Sequence, residues 1–134
     1  MTRDDLTPFA RGYIQGLLAT SLDDDQEPLD ANYDIEDIHP DSLEKIADDC
    51  AKFVAANESH YADAENLSCS DGIWKPAESA GLDFWLTRNG HGSGFWDPDR
   101  KRHYGEANAE AMNAYSEAAG GCDAYIGDDG KVHI

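Results

Sequence analysis

His91 stands in the run Gly90-His91-Gly92-Ser93-Gly94, with Arg88 before it and Asp97 after it. An imidazole that titrates near neutral pH, beside a guanidinium and a carboxylate, is the composition of a general base with an anion clamp and a partner. A small hydrolase or ligand-binding enzyme centred on His91, with Arg88 and Asp97, is therefore one reading. The run is not a nucleophile elbow, because neither residue two away from Ser93 is glycine. No Gly-Lys-Ser/Thr follows it, so it is not a phosphate loop. Turn geometry alone also accounts for the glycines, and His91 then sits exposed at the tip of a hairpin. Neither a metal nor a cofactor is expected. The five histidines and three cysteines contain no Cys-x-x-Cys, His-x-His or His-x-x-x-His pair, whereas structural zinc needs four ligands, usually with one close pair. Asp128-Asp129-Gly130 lacks the alternating ligands and closing glutamate of a calcium loop and reads as a turn.

Carboxylates are the denser feature. The chain has 28 Asp and Glu against 10 Lys and Arg, a net charge of −18 and a pI near 4.2. Such a charge opposes direct contact with nucleic acid, which requires a cationic footprint, and with anionic membranes. Residues 1–66 hold 17 acidic and four basic residues, and the remainder 11 and six. Asp23, Asp24, Asp25, Glu27, Asp30, Asp34, Glu36, Asp37 and Asp41 crowd one stretch and are the candidate partner-binding residues. Solubility accounts for the charge in one reading, and adaptation to high salt in a second. In a third, the surface imitates the charge of nucleic acid and engages a cationic protein that binds it.

These residues need elements to hold them. Thr7-Pro8 reads as a helix start, and Phe9, Tyr13, Ile14, Leu17 and Leu18 follow at helical spacing to about Thr20. Residues 21–38 read as an acidic connector with Leu29, Tyr33, Ile35 and Ile38 as anchors. His39-Pro40 opens a second helix whose stripe is Leu43, Ile46, Cys50 and Phe53, so Cys50 is expected to be buried. Pro76–Ala80 allows one helical turn ending at Gly81. Phe84-Trp85-Leu86-Thr87 is rich in strand formers, and with Phe95-Trp96 it predicts a hairpin over 83–97. A third helix is expected over about 105–119, stopped by Gly120-Gly121. Asp128-Asp129-Gly130 then turns a second hairpin over 124–134. The predicted fold is α+β: three helices packed on a small antiparallel sheet made of two β-hairpins. Trp74, Trp85 and Trp96 read mainly as core, and any one left exposed would mark a binding site.

A chain of 134 residues, 40 % apolar with 13 aromatics, is expected to form one domain over 1–134. An acidic helical half covers about 1–66 and a hairpin-containing half about 67–134. No apolar run approaches the roughly 18 residues of a membrane span. The start Met1-Thr2-Arg3-Asp4-Asp5 lacks the pattern of a signal peptide, so a cytoplasmic protein is expected.

Three stretches carry a resemblance: Tyr33-Asp34-Ile35-Glu36-Asp37-Ile38, then Gly81-Leu82-Asp83-Phe84-Trp85-Leu86-Thr87-Arg88-Asn89 running on through Gly90-His91-Gly92-Ser93-Gly94-Phe95-Trp96-Asp97, and Tyr125-Ile126-Gly127-Asp128-Asp129-Gly130. Over roughly residues 29–134 the chain resembles a widespread group of small proteins encoded by bacteriophages and prophages. Arg100-Lys101-Arg102 departs from that group. The resemblance implies a setting: small acidic phage proteins often inhibit host machinery, including restriction and CRISPR effectors. The expected function is thus a phage-encoded, non-enzymatic interaction protein acting in the host cytoplasm on a cationic, nucleic-acid-handling host protein. The alternatives are the His91 enzyme and an accessory or virion-associated phage protein.

Overall fold

Four of the five prolines each begin a helix. Pro8, Pro40, Pro76 and Pro98 occupy the first helical turn, where a missing N–H costs no hydrogen bond and a fixed φ suits the helix. The computed structural model describes residues 6–65, 67–69 and 72–134. Its helices are α1 (Pro8–Thr20), α2 (Pro40–Tyr61), α3 (Pro76–Arg88), α4 (Pro98–Tyr104) and α5 (Glu106–Ala119). Side chains of Thr7, His39 and Asp97 cap α1, α2 and α4 by accepting a backbone N–H. Two short antiparallel ladders complete the fold. Strand β1 (Leu67–Cys69) pairs with β2 (Gly72–Trp74), and β3 (Tyr125–Ile126) pairs with β4 (Val132–His133) in the register Tyr125 to His133 and Ile126 to Val132. No helix among the described residues is long and apolar enough to cross a membrane.

The α+β expectation is overturned. The protein is mainly helical, and among the described residues the strands form two separate two-stranded ladders rather than one sheet under three helices. The expected hairpin over 83–97 does not form: its first arm is the second half of α3, and Phe95-Trp96 lies in the turn that leads into α4. Gly81 does not end a helical turn; α3 runs through it. The cause is burial on every side. Ser79, Ala80, Gly81, Asp83, Phe84, Trp85, Leu86 and Thr87 are all buried, so α3 shows no polar stripe and its sequence has no helical period to read. Local strand propensity then yields to tertiary packing. The helix stops where Gly90, at φ +69°, gives its N–H to Thr87 O while His91 N–H bonds to Leu86 O. That pair of hydrogen bonds is a Schellman cap, which accounts for Gly90 in a run otherwise read as a hairpin tip. The hairpin over 124–134 and the helices at Pro8, Pro40 and 106–119 form as expected.

Helix α3 lies against α1 with almost no side chain between the backbones. A Cβ placed on Gly12 would collide with the Glu78 carbonyl, and one on Gly81 would collide with the Phe9 carbonyl. Around this crossing the aromatic core assembles on Phe53 of α2. Its ring lies 4.9 Å from Phe9, 4.6 Å from Phe84, 5.9 Å from Phe95 and 5.3 Å from Tyr115. Such rings account for much of the apolar surface removed from water.

Widening the crossing must therefore be costly. Gly12→Val is expected to lower stability by about 2–4 kcal/mol, because the intruding atoms meet backbone that cannot rotate away. Gly92→Ala, with open space around its Cβ, should stay within about 0.5 kcal/mol. Urea unfolding of both variants checks this; equal midpoints would contradict it.

Candidate functional site

The acidic connector leaves α1 at Ser21 and is pinned at short intervals. Leu29, Ile35 and Ile38 are buried in the core. Leu22 bridges Pro28, and Asp23 exchanges backbone bonds with Glu27 and Gln26. Several carboxylates hold the loop itself. Asp23 Oδ1 accepts the N–H groups of Asp25 and Glu27 at 2.9 and 3.0 Å. Asp34 and Asp37 cap one another's backbone around a 3-10 turn at Ile35–Asp37, and Glu27 accepts from the Asn32 amide. A chain dense in aspartate can thus be ordered, because the short side chain satisfies nearby donors.

The same residues remain outward. Asp24, Asp25, Glu27, Asp30, Asp34, Glu36 and Asp41 are exposed, and Asp23 and Asp37 are half-buried. Among the described residues none of the nine forms an ion pair with lysine or arginine; His39 lies 3.9 Å from Asp41, and exposed Arg11 lines a shared depression with Asp30 and Asp34.

The C-terminal hairpin enlarges this surface. Ile38 forms a parallel bridge to Val132, His39 N–H donates to Val132 O at 2.9 Å, and Ile134 N–H donates to Ser42 Oγ. The His133 ring stacks on His39 at 4.8 Å and on Tyr125 at 5.5 Å. Its Nε2 lies 3.0 Å from Asp129, whose carboxyl is held below its ordinary range by the Lys131 amide and by His133. Exposed Asp128 and Asp129 are thereby fastened to the end of the connector. Nothing local in the sequence marks them, because the link is a long-range pairing.

His91, Arg88 and Asp97 are given separate tasks. Arg88 points inward, its side chain 8 % exposed. It donates to Tyr13 OH and Asp49 Oδ2, each at 3.0 Å, and to Gly120 O at 2.8 Å, with its guanidinium 5.2 Å above the Phe84 ring. Asp97 accepts the Asp99 N–H and caps α4. His91 is half-buried beside a shallow depression of about 190 Å³ shared with Trp85, Asn89, Cys122 and Asp123. Neither Arg88 nor Asp97 lines that depression. The basic run is also occupied. Arg100 Nε bonds both Asp83 oxygens at 3.0 Å, Arg102 pairs with Asp99, and Lys101 lies 4.0 Å from Glu110. Cys50 is buried, and burial pushes its thiol and the Tyr13 phenol upward in pKa. Of the three tryptophans, Trp85 is buried, Trp74 half-buried and Trp96 exposed. Among the described residues no group of three His, Cys, Asp or Glu side chains is placed to hold a metal ion.

Comparison with family models, curated proteins and solved structures finds no match to this chain.

Among the described residues Asp83 is the one fully buried carboxylate. Tyr104 OH donates to it at 2.9 Å, and Arg100 covers it. Burial raises its pKa from 3.8 to about 6, partly offset by Arg100 and the Tyr104 hydroxyl. The folded protein therefore keeps this proton to higher pH than the unfolded chain does. The stability contributed by this group is full below about pH 3.8 and is lost as the pH rises through about 6. The stability advantage of wild type over Asp83→Asn is expected to shrink between pH 4 and pH 6.5 by about 1–3 kcal/mol. Urea unfolding of both proteins across that range measures it; an advantage that grows with pH would contradict it.

Proposed function

We propose that the protein is a non-enzymatic, phage-encoded interaction protein that docks a cationic, nucleic-acid-handling host protein in the host cytoplasm. One observation carries this reading: eight carboxylates on a connector pinned to the core, with Asp41 beside them in the first turn of α2, none of the nine paired with lysine or arginine among the described residues. A charged surface that served only solubility would need no fixed geometry, whereas a docking surface does. Asp128 and Asp129 continue the same negative field beyond Asp41. Screening confines that field to about 8–10 Å at physiological salt, so it acts on a partner at close range and speeds its approach. The resemblance to small phage proteins supports a host protein as the partner. The dispersal of His91, Arg88 and Asp97 favours binding over catalysis.

The residues Asp24, Asp25 and Asp30 are exposed, and their carboxylates make none of the hydrogen bonds that hold the loop. Converting all three to Asn is expected to slow association with the partner captured from host lysate by about tenfold at low salt. Stopped-flow rates for wild type and variant should converge at high salt while far-UV dichroism stays unchanged. Equal rates with equal salt slopes would remove the connector from the interface.

A further inference from the structure

A second surface lies away from the connector. Between the first turn of α1, the middle of α2 and the start of α3 runs an open groove of about 520 Å³. Its floor is Phe9, Ala10 and Tyr61, and its α2 wall is Ala47, Ala51 and Ala55. Thr7 and Glu58 are the polar side chains along it, and Ala51 and Ala55 are exposed. Helical spacing places Glu44 one turn before Ala47, so exposed carboxylates stand at both ends of the wall, Glu44 and Glu58. Asp48 lies between them and shares its charge with Lys52 at 2.9 Å.

We infer that this groove receives the apolar face of a cationic amphipathic helix from a partner protein. The shape sets the first half of that statement. Three alanines leave depth along one side of α2, so the missing volume must come from large apolar side chains on the occupant. From Ala47 to Glu58 the wall spans three turns, about 16 Å, the reach of apolar anchors at i, i+4, i+7 and i+11. Charge sets the second half. Lysines or arginines flanking such anchors meet Glu44 and Glu58. A second copy of this chain fits poorly, because it would bring identical carboxylates to the rim and alanines where bulk is needed. An anionic lipid meets the same carboxylates and is repelled. The sign of the occupant's charge comes from the groove's own rim, so this inference stands apart from the connector and goes beyond it.

The test uses a synthetic amphipathic peptide of about 18 residues, leucine on one face and lysine on the other, titrated into the labelled full-length chain and followed by amide chemical shifts. The expected result is binding at about 10–100 µM with the largest shifts along Ala47–Glu58 and Leu6–Ala10. Ala51→Lys, at an exposed helical site, should weaken binding about tenfold, Glu58→Lys should also weaken it, and a glutamate-for-lysine peptide should not bind. Dichroism of each variant confirms that the fold is kept. Shifts confined to residues 23–41 and indifferent to Ala51→Lys would overturn the groove while leaving the connector in place. No binding to the monomer, or a dimer of the free chain dissolved by Ala51→Lys, would also overturn it.

Discussion

The close crossing of α1 and α3 at Gly12 and Gly81 is the constraint on which the remaining structure depends. Two backbones meet where side chains would normally keep helices 8–10 Å apart, and α3 is thereby drawn into the middle of the protein. From there it fastens every other helix. Trp85 Nε1 donates to Thr20 at the end of α1, and Thr20 in turn donates to Gly16 O. Arg88 reaches Asp49 on α2 and the carbonyl of Gly120 at the C-cap of α5, while Asp83 holds Arg100 and Tyr104 on α4. The connector begins at Ser21, directly after the residue that Trp85 grips, so its starting point is set by the same crossing.

Two polar ties complete this arrangement, one on the fully buried Asp83 and one on the inward-facing Arg88, whose partner Asp49 stays partly exposed. A buried ion pair is a poor source of net stability, because each charge has given up its water, but removing one partner leaves the other stranded. Asp83 is such a charge, and Arg100 ties α4 to α3 as its partner, whereas Arg88 keeps Tyr13 OH and Gly120 O beside the partly exposed Asp49. The surface charge follows the opposite logic. Mutual repulsion among connector carboxylates is offset where Asp23, Asp34 and Asp37 accept backbone N–H groups. The others are left to project outward.

Much of this architecture is legible from sequence, because the signals are local. Thr7-Pro8 and His39-Pro40 mark helix starts, stripes at helical spacing mark α1 and α2, and Asp-Gly marks the final turn. The same proline signal stands at Pro76, where it suggests a single helical turn before the strand-forming run Phe84–Thr87 outweighs it, and at Pro98, which reads as the end of the expected hairpin. A central helix has no solvent face, so its sequence carries no period, and Gly81 reads as a stop when it is a point of contact. The acidic connector is plain in the sequence as charge. Its anchoring is foreshadowed by Leu29, Ile35 and Ile38, whereas the addition of Asp128 and Asp129 is hidden, since it follows from Ile38 meeting Val132. The α2 groove is equally hidden, because alanine spacing acquires meaning only beside Phe9 and Tyr61.

A docking surface differs from a merely solubilising one in having fixed geometry, and backbone relaxation of the connector measures that difference. Amide order parameters for residues 22–41 are predicted to match those of α1 and α2, near 0.85, as expected of a loop pinned by buried anchors and carboxylate caps. Values below about 0.6 across Asp23–Asp37 would show a loose acidic tether and would contradict a preorganised interface.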